Sequence, residues 1–423
     1  MTLAYRMIYF FVVRLLLPLL HSVNEKVARG YQLRQPQNGK LPWLATPKAL
    51  RPLWIHCASG EFEYALPVIR EIKKKNPLQK ILVSYFTPTY AERMKAEPMV
   101  DFVVPAPWDE PEVIKEFIDH HQPTALLFAR TDVWFEMSRQ CSLHKIPVIV
   151  FSMTFQKKIN LMLQIFLRWR WQFVDNFWVV SETDAAQLKK LLPKAQIEVA
   201  GDSRYDQCLY RLSQNRPLPF TIAPSTAKLI IAGSTWPEDE AVVVPTIGKT
   251  LANTPALRWI LVPHENTPAH IAQLEQNLKQ QQIPFVRSSN TTLWNGASVL
   301  LVDQVGFLAE LYRYADVSFV GGSFRKQVHS VMESLACGCL TFVGPFYKNN
   351  REAIEFSSEF SSEFPSESSP GSQPAAVQVV RSSQELSRGI QHFATQWTPS
   401  HSNELRARFA QKTGASKKIV AKI

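Results

Sequence analysis

The segment WIHCASGEFEYALPVI (54–69) carries an apolar run into two acids and back into an apolar run. Trp54 to Cys57 reads as a short buried strand and Tyr64 to Ile69 as the opening of a helix. Ser59, Gly60 and Glu61 lie in the tight turn between them. Burial makes an unpaired charge costly, so a carboxylate at such a turn needs a reason. The plain one is an acid in a first helical turn, which favours the helix dipole.

Four more loops follow strand-like runs in the second half of the chain. IIAGSTWPEDE (230–240) gives Gly233, Ser234 and Thr235, then a helix opening on Pro237, Glu238 and Asp239. Capping accounts for these residues, and the same geometry offers free N–H groups to a phosphate. ILVPHENTPAH (260–270) puts His264 at a strand end, a place where a histidine is more often structural than catalytic. VSFVGGSFRKQVHSVMESLACG (317–338) ends a buried strand in Gly321, Gly322 and Ser323, with Arg325 and Lys326 beside them. His329 and Glu333 follow, four apart and expected on one helix face. Glycines let a ligand approach the backbone, the cations suit a phosphate, and Glu333 suits ribose hydroxyls; the plain alternative is a turn and an ordinary side-chain pair. LTFVGPFYKNNREAIEF (340–356) offers Asn349 as a helix cap or a ligand contact.

The elements that must hold these groups alternate. Strand-like runs at 53–57, 80–86, 124–128, 146–152, 176–181 and 196–200 are separated by amphipathic stretches such as 61–75, 110–121 and 182–192. After a Pro-rich piece the rhythm restarts at 229–233, 258–263, 298–302, 316–320, 339–343 and 376–380. Such alternation means βαβ units and parallel sheets. The economical reading is an α/β chain of two Rossmann-like domains facing a cleft, 41–213 and 229–423, with 214–228 as linker. In such sheets ligands sit beyond the carboxyl ends of strands. The second half then reads as nucleotide-binding and the first as the acceptor side, which describes a two-domain sugar transferase. Residues 356–376, rich in Ser, Glu and Pro, read as a flexible acidic loop.

The 423 residues suit two cores, and 46% apolar content excludes disorder. Five scattered cysteines fit a reducing compartment and argue against disulfides and structural zinc. A net charge of +11 suits an anionic partner. No basic-aromatic module appears, which ranks nucleic acid last. Residues 3–21, LAYRMIYFFVVRLLLPLLH, are apolar but carry Arg6 and Arg14. A central arginine costs roughly 3 kcal/mol in a spanning helix, and no signal-peptide cleavage site follows. The expectation is a membrane-anchor helix in or dipping through the membrane, within an N-terminal segment 1–40 whose Lys26, Arg29, Arg34 and Lys40 favour an anionic surface. The alternative is a buried first helix.

In order along the chain, WIHCASGEFEYALPVI, SYFTPTYAERM, AGDSRYD, AGSTWPEDE, LVPHE, ADVSFVGGSF, VHSVMESLACG, GPFYKNNREA and KTGASKKIVAKI resemble the Kdo (3-deoxy-manno-octulosonic acid) transferase family. The resemblance implies a GT-B fold and inverting transfer of Kdo from CMP-Kdo to a lipid A precursor, without metal or other cofactor, at the cytoplasmic face of the inner membrane. It implies Glu61 as general base, with Ser59, Gly60 and Asp132 on the acceptor side. Arg204, Gly233, Ser234, Thr235, His264, Gly321, Gly322, Ser323, His329, Glu333 and Asn349 fall on its donor-site motifs. The chain departs from the family pattern by one residue fewer between Ser59 and Gly60. RTDVWFE (130–136) also stands where relatives carry a Glu-x-Trp-Pro-Asn motif. The competing readings are a non-catalytic, membrane-bound binder of CMP-sugar or glycolipid, and a transferase of another CMP-activated sugar.

Overall fold

The computed structural model describes residues 1–20, 25–36, 41–155, 160–254, 257–358 and 375–423. The chain divides into two compact units, residues 1–207 with 412–423, and residues 208–411. Each is built on a parallel sheet of seven strands.

In the first unit the strands are β1 (Leu53–Cys57), β2 (Ile81–Tyr85), β3 (Phe102–Pro105), β4 (Ala125–Ala129), β5 (Val148–Met153), β6 (Asn176–Val179) and β7 (Gln196–Val199). Their order is β3-β2-β1-β4-β5-β6-β7. Alternate residues feed two cores: Trp54, Leu82 and Phe128 on one face, and Ile55, Val83 and Leu127 on the other. Both faces are covered at β1, β2, β4 and β5, so these strands read as near-continuous apolar runs, whereas the edge strand β7 is only partly buried.

In the second unit a pair of two-residue strands, β8 (Thr221–Ile222) and β12 (Leu293–Trp294), stands apart. Its sheet comprises β9 (Lys228–Thr235), β10 (Leu257–Pro263), β11 (Phe285–Arg287), β13 (Val299–Leu301), β14 (Val317–Val320), β15 (Leu340–Val343) and β16 (Val377–Val379). Their order is β11-β13-β10-β9-β14-β15-β16. In each sheet the first long strand, β1 or β9, lies in the interior, and chain order reverses beside it. The switch points lie between β1 and β4 and between β9 and β14, where α/β sheets open a crevice for ligands.

All twelve strand-like runs form strands. Contacts divide the chain at 207/208, ahead of the Pro-rich segment, and Thr221–Ile222 inside that segment pairs with β12 rather than hanging free. The terminal helix Ala415–Val420 packs in the first unit, where the Asp206 carboxylate accepts the N–H groups of Gly414 and Ser416. Residues 356–358 end the helix Arg351–Ser358, and Ala375 and Ala376 are buried; positions 359–374 of the expected acidic loop lie outside the described residues. All five cysteines are buried.

The N-terminus corrects the expected anchor. Thr2–Phe11, Val12–Leu16 and Leu17–Leu20 are helical, but among the described residues no helix is long and apolar enough to cross a membrane. The two arginines pair with the unit's own carboxylates. Arg6 pairs with buried Glu136 at 2.7 Å and Arg14 with Glu110 at 3.0 Å. Tyr5 donates to Asp109 at 2.5 Å, and Tyr9 accepts the Asp109 N–H. Arg34, expected to favour an anionic surface, is also buried. It donates to the carbonyls of Gly30, Tyr85, Phe86 and Ala106, and burial lowers its pKa to about 10.

Burial pushes Asp109 up to about 6, against the pull of Tyr5 O–H and the N–H groups of Glu136 and Met137. An acid with a raised folded pKa favours the folded state when protonated. Its contribution is therefore full below about pH 4 and is lost as pH rises through about 6. Asp109→Asn is expected to flatten this fall, which should amount to about 2–3 kcal/mol in wild type. Melting temperatures of both proteins from pH 4 to 7 check it; parallel curves would remove Asp109 as the cause.

Candidate active site

In the first unit the turn after β1 and the loop after β4 meet at the switch point, with Ile55 and His56 of β1 paired to Leu127 and Phe128 of β4. Glu61 stands at the N-cap of the helix Phe62–Lys75. Its Oε2 accepts the Ser59 N–H at 2.8 Å, and its backbone carbonyl accepts from Tyr64 and Ala65. The residue is partly exposed, and Oε1 has no hydrogen-bond partner among the described residues. The turn thus fixes one carboxylate oxygen and leaves the other open. That arrangement suits proton acceptance better than a carboxylate consumed in capping. Glu63, the neighbouring acid, is held by Arg93 at 2.6 Å and by Gln207.

His56 is buried and neutral, its pKa lowered to about 3 by desolvation. Its Nδ1 lies 2.9 Å from Ser84 Oγ, which also accepts from Trp54 Nε1. Among the described residues the Nε2 atom has no hydrogen-bond partner, and Asp132 Oδ2 lies 3.9 Å away. Asp132 is itself engaged by Arg170 at 3.5 Å and by Trp134 Nε1 at 3.3 Å. The structure therefore gathers Ser59, Gly60, Glu61 and Asp132 at one switch point, with His56 beneath them. Arg204 belongs to this unit, and the other residues expected at the donor site belong to the second. Its guanidinium grips Asp202 and stands 4.6 Å over the Tyr64 ring.

In the second unit the loops after β9, β10 and β14 converge, with Val320 of β14 paired to Gly233 of β9. Trp236, His264 and His329 form a stack of rings, with centroids 4.6 Å apart for Trp236 and His264 and 4.3 Å for His264 and His329. Arg325 covers the outer Trp236 face at 3.8 Å. The indole N–H donates to His329 Nε2 at 2.9 Å, so that nitrogen is the acceptor and a neutral His329 carries its proton on Nδ1. Burial lowers His329 to about 4 and lowers His264 as well, so the stack is uncharged near neutrality. The helix spans only Met332–Ala336, so His329 precedes it and does not share its face with Glu333. Glu333 accepts from Ser330 Oγ and sits 3.9 Å from Arg211.

The glycines have packing reasons. A Cβ on Gly321 would lie 2.2 Å from the Ser234 carbonyl oxygen, and one on Gly233 would lie 2.3 Å from the Tyr312 hydroxyl. Gly322 adopts φ +81°. Thr235 and Ser323 are buried: the first donates to Glu240, and the second ties the Val320 carbonyl to the Gly344 N–H. Asn349 spends both ends of its amide on the backbone of Val328, while Asn350 caps the next helix by accepting from Ala353. The groups presented by these loops are Ser234 (φ +54°), His264, His329 and Glu333, with Arg325 at the rim.

One residue organises this assembly more than its sequence context shows. Buried Asp239 accepts from Trp236 N–H at the helix start and from Gly322 and Phe324 N–H in the loop after β14, at 2.6–2.9 Å. Read in sequence, it was a first-turn acid; only the pairing of β9 with β14 brings the second loop to it. Among the described residues no group of three His, Cys, Asp or Glu could hold a metal ion.

Residues 22–207 match the family model described as 3-deoxy-D-manno-octulosonic-acid transferase (kdotransferase). The chain is similar to the 3-deoxy-D-manno-octulosonic acid transferase of Haemophilus influenzae, 27% identical over 299 residues that cover 67% of this chain and 68% of that protein. Among solved structures it resembles the UDP-GlcNAc 2-epimerase of Neisseria meningitidis (TM-score 0.59, 15% identity, 87% of this chain and 98% of that one). It also resembles MurG of Acinetobacter baumannii (TM-score 0.51, 11% identity, 88% and 99%). These structural likenesses concern the fold, which is α/β and of GT-B type.

Proposed function

We propose that the chain is a glycosyltransferase of the Kdo transferase family and that it moves Kdo from CMP-Kdo to a lipid A precursor with inversion, using Glu61 as general base. The observation that carries this reading is the half-engaged Glu61 carboxylate, one oxygen pinned by Ser59 N–H and the other open at the β1/β4 switch point. A sugar hydroxyl of the acceptor gives its proton to Glu61 while its oxygen attacks the anomeric carbon of Kdo. The bond from that carbon to the CMP phosphate breaks, and CMP leaves with the electron pair. Little covalent work remains for the second unit, whose task is to bind the nucleotide and stabilise its charge. Arg325 supplies a cation there, and Glu333 suits ribose hydroxyls. Incubating the purified full-length protein with freshly generated CMP-Kdo and a lipid A precursor should yield the Kdo-bearing lipid. Binding of CMP without transfer would favour the non-catalytic or different-sugar readings.

The same reading places the protein on the cytoplasmic face of the inner membrane, by surface contact rather than by spanning. Leu3, Met7, Ile8, Phe10, Phe11 and Leu19 of the first helical stretch are exposed, as are Leu161, Met162, Leu163 and Ile165 of the helix Leu161–Arg170. Trp169 joins the two by packing on Tyr5 and donating to Thr2 Oγ1. Exposed apolar side chains on docked helices, with Arg6 and Arg14 paired to the unit's own carboxylates, suit a helix lying in the headgroup plane. Flotation with vesicles containing anionic lipid is expected for wild type and reduced for Phe10→Asp with Met162→Asp; unchanged flotation would refute the surface.

A further inference from the structure

We propose that Arg130 is an anion-binding residue that holds a phosphate or carboxylate group of the acceptor beside Glu61. Arg130 is the first residue beyond β4, in the loop that shares the switch point with the Glu61 turn. It adopts φ +65°, a left-handed conformation that costs a non-glycine residue roughly 1–2 kcal/mol, and its N–H donates to the Phe151 carbonyl at 2.8 Å. The strained backbone is thereby fixed, and the side chain leaves it in a defined direction.

That direction leads to Tyr64, three residues beyond Glu61 and on the same side of the helix start. The Arg130 guanidinium lies 5.3 Å from the Tyr64 ring centroid, and the Arg204 guanidinium lies 4.6 Å from the same centroid. Two cations on one ring repel each other. Arg204 is neutralised by Asp202 at 2.7 Å. Arg130 has no ion pair among the described residues, and its buried Nε has no hydrogen-bond partner there. A buried donor without a partner costs about 1–3 kcal/mol, more when charged. An oxyanion bound by the guanidinium fork removes that cost, since the fork matches phosphate and carboxylate geometry.

The inference rests on the transfer reading for the identity of the ligand, but not for the existence of the anion site. Steady-state kinetics of the full chain with Arg130→Gln should raise the acceptor KM about ten- to a hundredfold, leaving the donor KM within about twofold. Arg130→Lys, which keeps the charge but loses the fork, should recover part of the loss. An acceptor stripped of its phosphate by phosphatase, or one with its carboxylate esterified, identifies the group: the modification that removes the difference between wild type and Arg130→Gln names the ligand. A loss of equal size with every acceptor, or a shift in donor KM instead, overturns the proposal. If wild type transfers no Kdo, the transfer reading fails by itself. Titration with inorganic phosphate then decides the site: weaker binding to Arg130→Gln than to wild type supports it, and equal binding overturns it.

Discussion

Glu61→Gln is expected to lower Kdo transfer by about 10²–10⁴-fold, the range lost when a positioned base is removed, while CMP binding stays at the wild-type level. The substitution keeps the side chain's shape and leaves an amide oxygen to accept the Ser59 N–H, so the turn should survive. What it removes is the open carboxylate oxygen. Melting temperature should therefore change little, which separates a chemical loss from a folding one. Transfer retained in the variant would show that the one-residue-shorter turn has left the base elsewhere. Glu63 is poorly placed to replace it, because Arg93 and Gln207 already hold its carboxylate. Glu63→Gln should accordingly leave the chemical step near wild type.

Asp239→Ala is expected to abolish nucleotide binding and to destabilise the second unit by about 3–5 kcal/mol. Three N–H donors, from Trp236, Gly322 and Phe324, lose their acceptor together. Two of them lie in the loop after β14, where Gly321 and Gly322 have close backbone neighbours and little freedom to find other partners. The Trp236–His264–His329 stack hangs on the same anchor, since Trp236 is the residue whose N–H Asp239 accepts. Burial raises the Asp239 pKa above the usual carboxylate value against the pull of the three N–H groups. Urea unfolding and calorimetric titration with CMP provide the two readouts. Binding retained at normal affinity would mean that the loop holds its shape without the clamp.

The expected donor residues fared differently from one another in three dimensions. Gly233, Gly321, Thr235 and Ser323 are spent on packing and internal hydrogen bonds, and Asn349 on the Val328 backbone. Ser234, His264, His329 and Glu333 stay available. Sequence spacing reads both groups alike, because a glycine required by a neighbouring carbonyl and a glycine required by a ligand look the same in one dimension. Trp236 and Arg130 carried no weight in the sequence for a related reason. A tryptophan before a helix-opening proline looks like core, and an arginine after a strand looks like surface. The strand-end rule applied to every apolar run, including 124–128, would have pointed to Arg130.

The sequence by itself determined the alternation of strands and helices, the two parallel sheets, and the strand ends on which candidate residues sit. Runs buried on both faces, as β1, β2, β4 and β5 are, leave an unbroken apolar signal, and all twelve runs were legible. Strands β3, β8, β11 and β12 were not, being two to four residues long and only partly buried or set apart from the sheets. Tertiary structure alone decided which loops meet, because strand order places β4 beside β1 and β14 beside β9 across long stretches of chain. It also decided what the N-terminal arginines mean. Their charge forbids a simple spanning helix, but only the folded unit supplies Glu136, Glu110 and Asp109 to receive that helix. A charge is read correctly only with its partner, and partners distant in sequence are brought together by the fold.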